Sequence, residues 1–188
     1  MNLEEKIIDY NHNKHDILHW VLLKGEYRYK KIIEFLENKS IPLTWTNITY
    51  YIKYDKRLLI NSFKYFVFLE ELFKSFIEKN KDIRISEINR YSFSKSLETF
   101  LEIDSIKEHL IDINFLKTEK DSIIEFRNSV VHNKILLGKT FNNKTLEEVL
   151  NIFKMILPSS YKSGFIKDIN NSSKNLTENY WHIHLEED

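Results

Sequence analysis

WTNITYYIKYDKRLLINSFKYFVFLEELFKSFIEK, residues 45–79, decides the fold class of this chain. Its opening, Thr46–Tyr54, is rich in β-branched and aromatic side chains and taken alone reads as a strand. The apolar positions argue otherwise. Ile48, Ile52, Leu59, Phe63, Phe66, Leu69, Leu72, Phe73 and Phe76 recur at helical spacing, and the stripe continues in phase beyond Asp55. One long helix is therefore predicted over 45–79. Thr44 is placed to cap its start, and Asn80-Lys81-Asp82 forms the turn that follows.

The same period extends outward on both sides. Ile17, Trp20, Val21, Leu23 and Tyr27, followed by Ile32, Ile33, Phe35 and Leu36, predict a long helix over 14–38. Asn38-Lys39-Ser40-Ile41-Pro42 breaks it, because the residue before proline disfavours helix. Beyond the central helix, a shorter helical zone is expected over 86–101 and another over 105–116, the latter carried by Ile106, Leu110 and Ile113. Thr118-Glu119-Lys120-Asp121 looks like a further start, with acids in the first turn. Its buried stripe is Ile123, Ile124, Phe126, Val130, Val131, Ile135 and Leu136, and Gly138 is expected to end it. A last regular helix is predicted over 145–156, stopped by Pro158. From Ser159 the chain is polar and poorly periodic, either a loose helix or an extended arm. Three glycines and two prolines leave little turn chemistry for a many-stranded sheet. The reading is all-α: one domain over 1–188, an up-and-down helical bundle of four to five main helices. Its core is expected at about 14–157, with a polar tail at 159–188.

Composition excludes several chemistries. Cysteine is absent, which removes disulfides, thiolate nucleophiles and cysteine-based zinc sites. Gly25, Gly138 and Gly164 stand alone, so there is neither a P-loop nor a dinucleotide fingerprint. Lys+Arg and Asp+Glu both number 28, so any nucleic-acid contact must come from a local patch. Lys24, Arg28, Lys30 and Lys31, interleaved with Tyr27 and Tyr29 and joined by Lys53, Lys56 and Arg57, could form a basic, aromatic RNA track or simply a solvated face. The acidic start Met1–Glu5 lacks a signal-peptide core, and no apolar run approaches the roughly 20 residues that span a bilayer. A cytoplasmic protein that makes no use of a membrane is expected. His12, His15 and His19 share one helical face, but no carboxylate completes a metal pattern, and an exposed polar face is the preferred reading. His182 and His184 are given no role.

The chemistry concentrates in Phe126-Arg127-Asn128-Ser129-Val130-Val131-His132-Asn133. Asn128 and His132 are four apart and share a face, and the long Arg127 side chain could reach the same space. A permanent cation beside a side chain type that titrates near neutrality suits metal-free phosphodiester cleavage. Histidine can take the proton of a ribose 2′-hydroxyl or return one to the leaving oxygen, and arginine can hold the phosphate as its charge grows. Asparagine can orient either. The products would be a 2′,3′-cyclic phosphate and a 5′-hydroxyl.

Arg127-Asn128-x3-His132 near the start of a late helix resembles the signature of the HEPN superfamily. Tyr54-Asp55-Lys56-Arg57-Leu58, with Glu70 fifteen residues after Asp55 and then Lys74, looks like its abortive-infection branch. Leu59 stands where an Arg is usual, and Lys74 where Arg is typical. The resemblance covers residues 15–157 loosely and these two blocks closely. It implies a helical bundle that dimerises, putting Arg and His of both chains in one cleft, and an RNase acting as a toxin or in phage defence. No metal or other cofactor is implied, and an RNA or protein antitoxin is a plausible partner. On the resemblance Arg127, His132 and Asn128 are catalytic and Glu70 steadies them from a facing helix. Lys74, Lys134 and Arg57 are candidate RNA contacts, and Asp55 caps or pairs with a nearby Arg or Lys. Lys134 departs from those relatives that carry a Tyr two residues after the His, and Ile135 stands where a basic residue often follows; both bear on regulation. The alternatives are a non-catalytic HEPN module that binds nucleotide, RNA or a partner protein, and a structural domain in which Arg127 and His132 make buried hydrogen bonds.

Overall fold

The Thr44 hydroxyl accepts the Asn47 N–H at 3.2 Å and starts a helix that runs unbroken from Trp45 to Asn80. The computed structural model describes residues 2–103, 111–174 and 181–187. Apart from one isolated bridge between Phe141 and Lys144, the regular structure of these residues is helical. The helices are α1 (Leu3–Lys6), α2 (Tyr10–Lys24), α3 (Glu26–Asn38), α4 (Trp45–Asn80), α5 (Ile85–Ile88), α6 (Phe93–Leu101), α7 (Ile113–Val131), α8 (Leu146–Ile156) and α9 (Ser159–Asn170). A 3-10 turn, Asn171–Ser173, follows. No helix among the described residues is long and apolar enough to cross a membrane.

At 1.5 Å per residue α4 is about 54 Å long and serves as the spine. It packs against α2, α3, α6, α7 and α9. The Phe66 ring meets Phe93, Phe126 and Phe153 at centroid separations of 5.6, 5.3 and 4.3 Å, so α4, α6, α7 and α8 converge on one aromatic cluster. Aromatic pairs in this range add to the free energy of burial itself.

Four boundaries differ from the sequence reading. The zone expected over 86–101 is two helices, α5 and α6, parted at residues 89–92. The helix expected over 14–38 is divided at Gly25, whose φ of 85° a side chain would resist, although nothing lies within 4 Å of a Cβ placed there. The apolar phase passes across the break, so periodicity alone could not find it. The α7 helix begins at Ile113, capped by Asp112, whose side chain accepts the Phe115 N–H; Thr118 lies within it. The end of the zone expected over 105–116 is thus the first turn of α7, and its residues 105–110 lie outside the described residues. At the other end α7 stops at Val131, ahead of the expected Gly138, for a reason given below.

The tail is the larger correction. It contains α9, then an extended stretch in which Ile183 and Leu185 are buried, so the core reaches well past residue 157. The Tyr51 hydroxyl donates to the Trp181 carbonyl at 2.7 Å, and the Ile183 N–H donates to the Tyr54 hydroxyl at 2.9 Å. Asn170 exchanges two hydrogen bonds with the Leu185 backbone, at 2.9 and 2.8 Å. The buried Lys154 donates to the Glu186 carbonyl. With the division at Gly25 and the addition of α9, the described residues hold seven helices of nine residues or more, above the four to five expected. Ile183→Ala should cost about 2–4 kcal/mol, as buried Ile truncations do, with a urea midpoint lowered at unchanged slope. A loss below 0.5 kcal/mol would show that the arm is only laid on the surface.

Candidate functional site

The α7 helix lies against α4, α6 and α8. Arg127 leaves it toward α4, where one guanidinium nitrogen is 3.4 Å from Glu70 Oε2. A second donates to Asn128 Oδ1 at 3.5 Å. The guanidinium sits 5.5 Å from the centre of the Phe93 ring, a cation–π contact. On its other oxygen Glu70 accepts from Lys74 Nζ at 2.9 Å. Arg127, Glu70 and Lys74 are each about a fifth to a quarter exposed. Two features distinguish Arg127 from a locked structural arginine. Both of its hydrogen bonds are longer than the usual 2.9 Å. Its Nε–H, shut away from solvent, finds no acceptor among the described residues.

His132 stands at the other end of the motif, as the C-cap of α7, and is exposed. Among the described residues its ring makes no hydrogen bond or ion pair. The helix stops there because Asn133 takes a left-handed conformation, φ 52°. The Asn133 N–H donates to the Val130 carbonyl and the Lys134 N–H to the Ser129 carbonyl, the two bonds of a Schellman motif. Asparagine is among the few residues that adopt this conformation readily. Arg127 and His132 are five residues apart, about 7.5 Å along the helix and about 140° around it. Within one chain Arg127 contacts Glu70 and Asn128, and among the described residues no hydrogen bond or ion pair joins His132 to them.

A buried carboxylate fixes the segment that follows. Asp55 is fully buried; its Oδ1 accepts the N–H groups of Leu136 and Leu137 at 2.8 and 3.1 Å, and its Oδ2 pairs with Arg28 at 3.2 Å. Arg28 also donates to the Asn133 carbonyl at 2.9 Å, and Lys56 donates to Asn133 Oδ1 at 2.9 Å. Asp55 therefore both pairs with Arg28 and caps two backbone amides, tying α3 and α4 to the turn that carries His132. Spacing offers Arg28 either to an RNA track or to a solvated face and names no partner for Asp55 beyond a nearby Arg or Lys; the structure makes Arg28 that partner.

The other candidates divide. Lys74 is committed to Glu70. Arg57 donates to the carbonyls of Ser172 and Lys174, so part of its capacity holds the chain after α9. Lys134 is exposed and lines a cleft of about 880 Å³ between α3 and the turn after α7. Tyr29, read as a possible track residue, is buried against Trp45. His15 and His19 stack at 6.5 Å with His15 almost fully exposed. No group of three or more His, Asp or Glu side chains among the described residues could hold a metal ion.

One side of α4 connects these parts. Lys56, Ile60, Phe63, Val67, Glu70 and Lys74 fall within an arc of about 80°. Ile60, Phe63 and Val67 are 58%, 47% and 41% exposed, an apolar stripe that leads from the Lys56 end to the Glu70–Arg127 cluster. No protein-family model matches the chain, and neither the curated proteins nor the solved structures contain a match.

Proposed function

We propose that this chain is a metal-independent endoribonuclease of the HEPN type, an up-and-down helical bundle that acts as a toxin or phage-defence effector. Arg127 and His132 are its reacting groups. The observation that carries this is the state of Arg127: packed over Phe93, held by only two long contacts, and still about a fifth exposed. Such a guanidinium has donor capacity left for a phosphate. In the proposed reaction His132 takes the proton of a 2′-hydroxyl, the 2′-oxygen bonds to phosphorus, and the bond to the 5′-oxygen breaks. That oxygen leaves with the proton that the imidazolium of His132 returns to it, giving a 2′,3′-cyclic phosphate and a 5′-hydroxyl. Arg127 offsets the charge on the phosphoryl oxygens, Asn128 orients Arg127, and Glu70 holds it from α4. The test is cleavage of single-stranded RNA in EDTA, with a strand carrying 2′-deoxyribose at the cut site as control. The all-ribose strand should be cut and the substituted strand survive. Cutting of both would exclude 2′-hydroxyl attack.

One His132 per chain, apart from its own Arg127, suggests a site completed by a second copy. The Ile60–Phe63–Val67 stripe runs into Glu70 and supports a two-fold interface that brings the two clusters together. A dimer is expected at tens of micromolar, an estimate for a modest interface. Phe63→Glu should convert it to monomer in sedimentation and abolish cutting. A monomeric wild type with full activity would refute the shared site.

The second reading, a non-catalytic HEPN module binding nucleotide, RNA or a partner protein, is favoured by one observation. Glu70 already neutralises Arg127, and His132 has no orienting partner among the described residues. It requires that RNA remain intact and that Arg127→Ala weaken binding alone. An RNA or protein antitoxin belongs with the first reading.

A further inference from the structure

A second feature lies beside the catalytic candidates. A groove of about 500 Å³ is lined by Lys24, Arg28, Ile52, Lys53, Lys56, Arg57 and Asn133. Five of these seven residues are cationic and none is acidic, in a chain whose formal net charge is zero. The carboxylate beneath them, Asp55, is fully buried and engaged by Arg28 and two backbone amides. Among the described residues Lys24, Lys53, Lys56 and Arg57 have no carboxylate partner, whereas many lysines elsewhere do, such as Lys30 with Glu26 and Lys139 with Glu125. Lys24 rests over Trp20 at 4.8 Å and Lys53 near Tyr50 at 5.9 Å, contacts that leave their charge facing outward. Like charges gathered without counter-charges repel one another, and a polyanion relieves that repulsion.

The groove does not stand alone. Lys24, Arg28 and Asn133 also line the 880 Å³ cleft, so the two join at Asn133, the residue that follows His132. The acids of the larger cleft, Glu34 and Glu125, are paired with Lys31 and Lys139. Tyr27 lines that cleft and is 69% exposed, a free aromatic face of the kind on which bases stack. Lys53 and Lys56 are about one helical turn apart on α4, so the positive charge is drawn out along a line.

We infer that this track binds the phosphodiester backbone of a single RNA strand, with phosphates at Lys24, Lys53 and Lys56 and a base on Tyr27, and leads the strand past His132. Arg28 is a fixed member, held from below by Asp55 and bonded to the Asn133 carbonyl. The inference rests on the nuclease reading only in taking the bound strand to be the substrate.

The experiment measures fluorescence anisotropy of a labelled, uncleavable 2′-O-methyl strand of about 12 nucleotides, a length matched to single-strand sites. It uses wild type, Lys24→Glu/Lys53→Glu, Tyr27→Ala and a control, Lys79→Glu/Lys117→Glu, which changes net charge equally on exposed positions away from the groove. The groove variant should bind about ten-fold or more weakly, with the slope of log K against log salt reduced by about 1.4, or 0.7 per lost cation. Tyr27→Ala should lose about five-fold or more at unchanged slope. The control should bind as wild type does. Circular dichroism establishes that the variants are folded; Lys24→Gln and Lys53→Gln, singly, serve if the charge reversals are not. Pyrophosphate and a mononucleotide, as competitors, should displace the strand only at far higher concentration. Equal loss in the control, unchanged affinity in the folded groove variants, no binding by wild type, or displacement by pyrophosphate at matched phosphate concentration would each overturn the inference. A strand that binds this track while its all-ribose form stays uncut would sink the nuclease reading and leave the track standing. Cutting that persists with normal binding in the groove variants would do the reverse.

Discussion

Alanine at His132 is expected to lower the rate of RNA cleavage by about a hundred-fold or more, as loss of a proton-transfer group does. The fold should not change. His132 is exposed, its side chain makes no hydrogen bond or ion pair among the described residues, and the turn beyond it is set by Asn133 and Asp55. Unfolding free energy should therefore stay within about 0.5 kcal/mol of wild type, the usual range for surface substitutions. Arg127→Ala should lose a similar factor in rate while leaving Glu70 paired with Lys74. Arg127→Lys should fail to rescue it, because an ammonium cannot hold phosphate bidentately. Growth arrest on expression should vanish with both alanine variants. Full activity in His132→Ala would remove the general-base role and with it the proposed chemistry.

Asp55→Ala carries the largest expected cost in stability, about 3–5 kcal/mol, the range for breaking a buried ion pair by removing one partner. Alanine would leave the Arg28 guanidinium, at 16% exposure, and the Leu136 and Leu137 amides without their acceptor. Domains are stable by only about 5–15 kcal/mol, so the variant should be near its unfolding threshold at room temperature. Asp55→Asn keeps one acceptor oxygen and should lose less. The pair also predicts a pH dependence. Burial pushes the Asp55 carboxyl above its ordinary 3.8, and the two amides and Arg28 offset this only in part. Its protonated form is thus relatively favoured in the folded chain. The stability that this group contributes is greatest below the unfolded value and is lost as pH rises through the raised one. Wild type should accordingly lose stability relative to Asp55→Asn as the pH is raised from about 4 toward neutrality. Urea unfolding at stepped pH would measure it, and a constant difference between the two proteins would contradict the shift.

Much of the helical architecture could be read from periodicity, because a 36-residue spine repeats its apolar signal many times. What escaped the reading was local. Gly25 interrupts the backbone without interrupting the apolar phase on either side. Asp112 caps α7 six residues ahead of Thr118, where the sequence advertises a helix start. In the tail, Trp181, Ile183 and Leu185 alternate with His182, His184 and Glu186, which reads as an extended segment, but nothing in the polar run before it signals that its apolar side is buried. Of the candidate site, Arg127, Asn128 and His132 stand out by residue type and spacing, and Glu70 only through the resemblance; the structure sets Arg127 3.4 Å from Glu70. The five-residue spacing already sets His132 about 140° around the helix from Arg127. The burial of Asp55 was not legible. A carboxylate between Tyr54 and Lys56-Arg57 looks like surface, and its partners lie 27 and 81 residues away in the chain.

The arm that lays Ile183 and Leu185 into the core has a consequence in time. Tyr51 and Trp181 are 130 residues apart, and Tyr54 waits for Ile183 across 129. At a synthesis rate of about 5–20 residues per second, roughly 7 to 26 s separate the making of one partner from the other. Helix formation takes microseconds or less, so through that interval a nascent chain can hold its spine while two tyrosine hydroxyls and the slot for Ile183 stand open. The final closure is the contact with the longest loop, the kind that sets folding speed. Newly made molecules therefore pass through a stage in which this slot is an apolar opening that the arm of a finished neighbouring chain can fill.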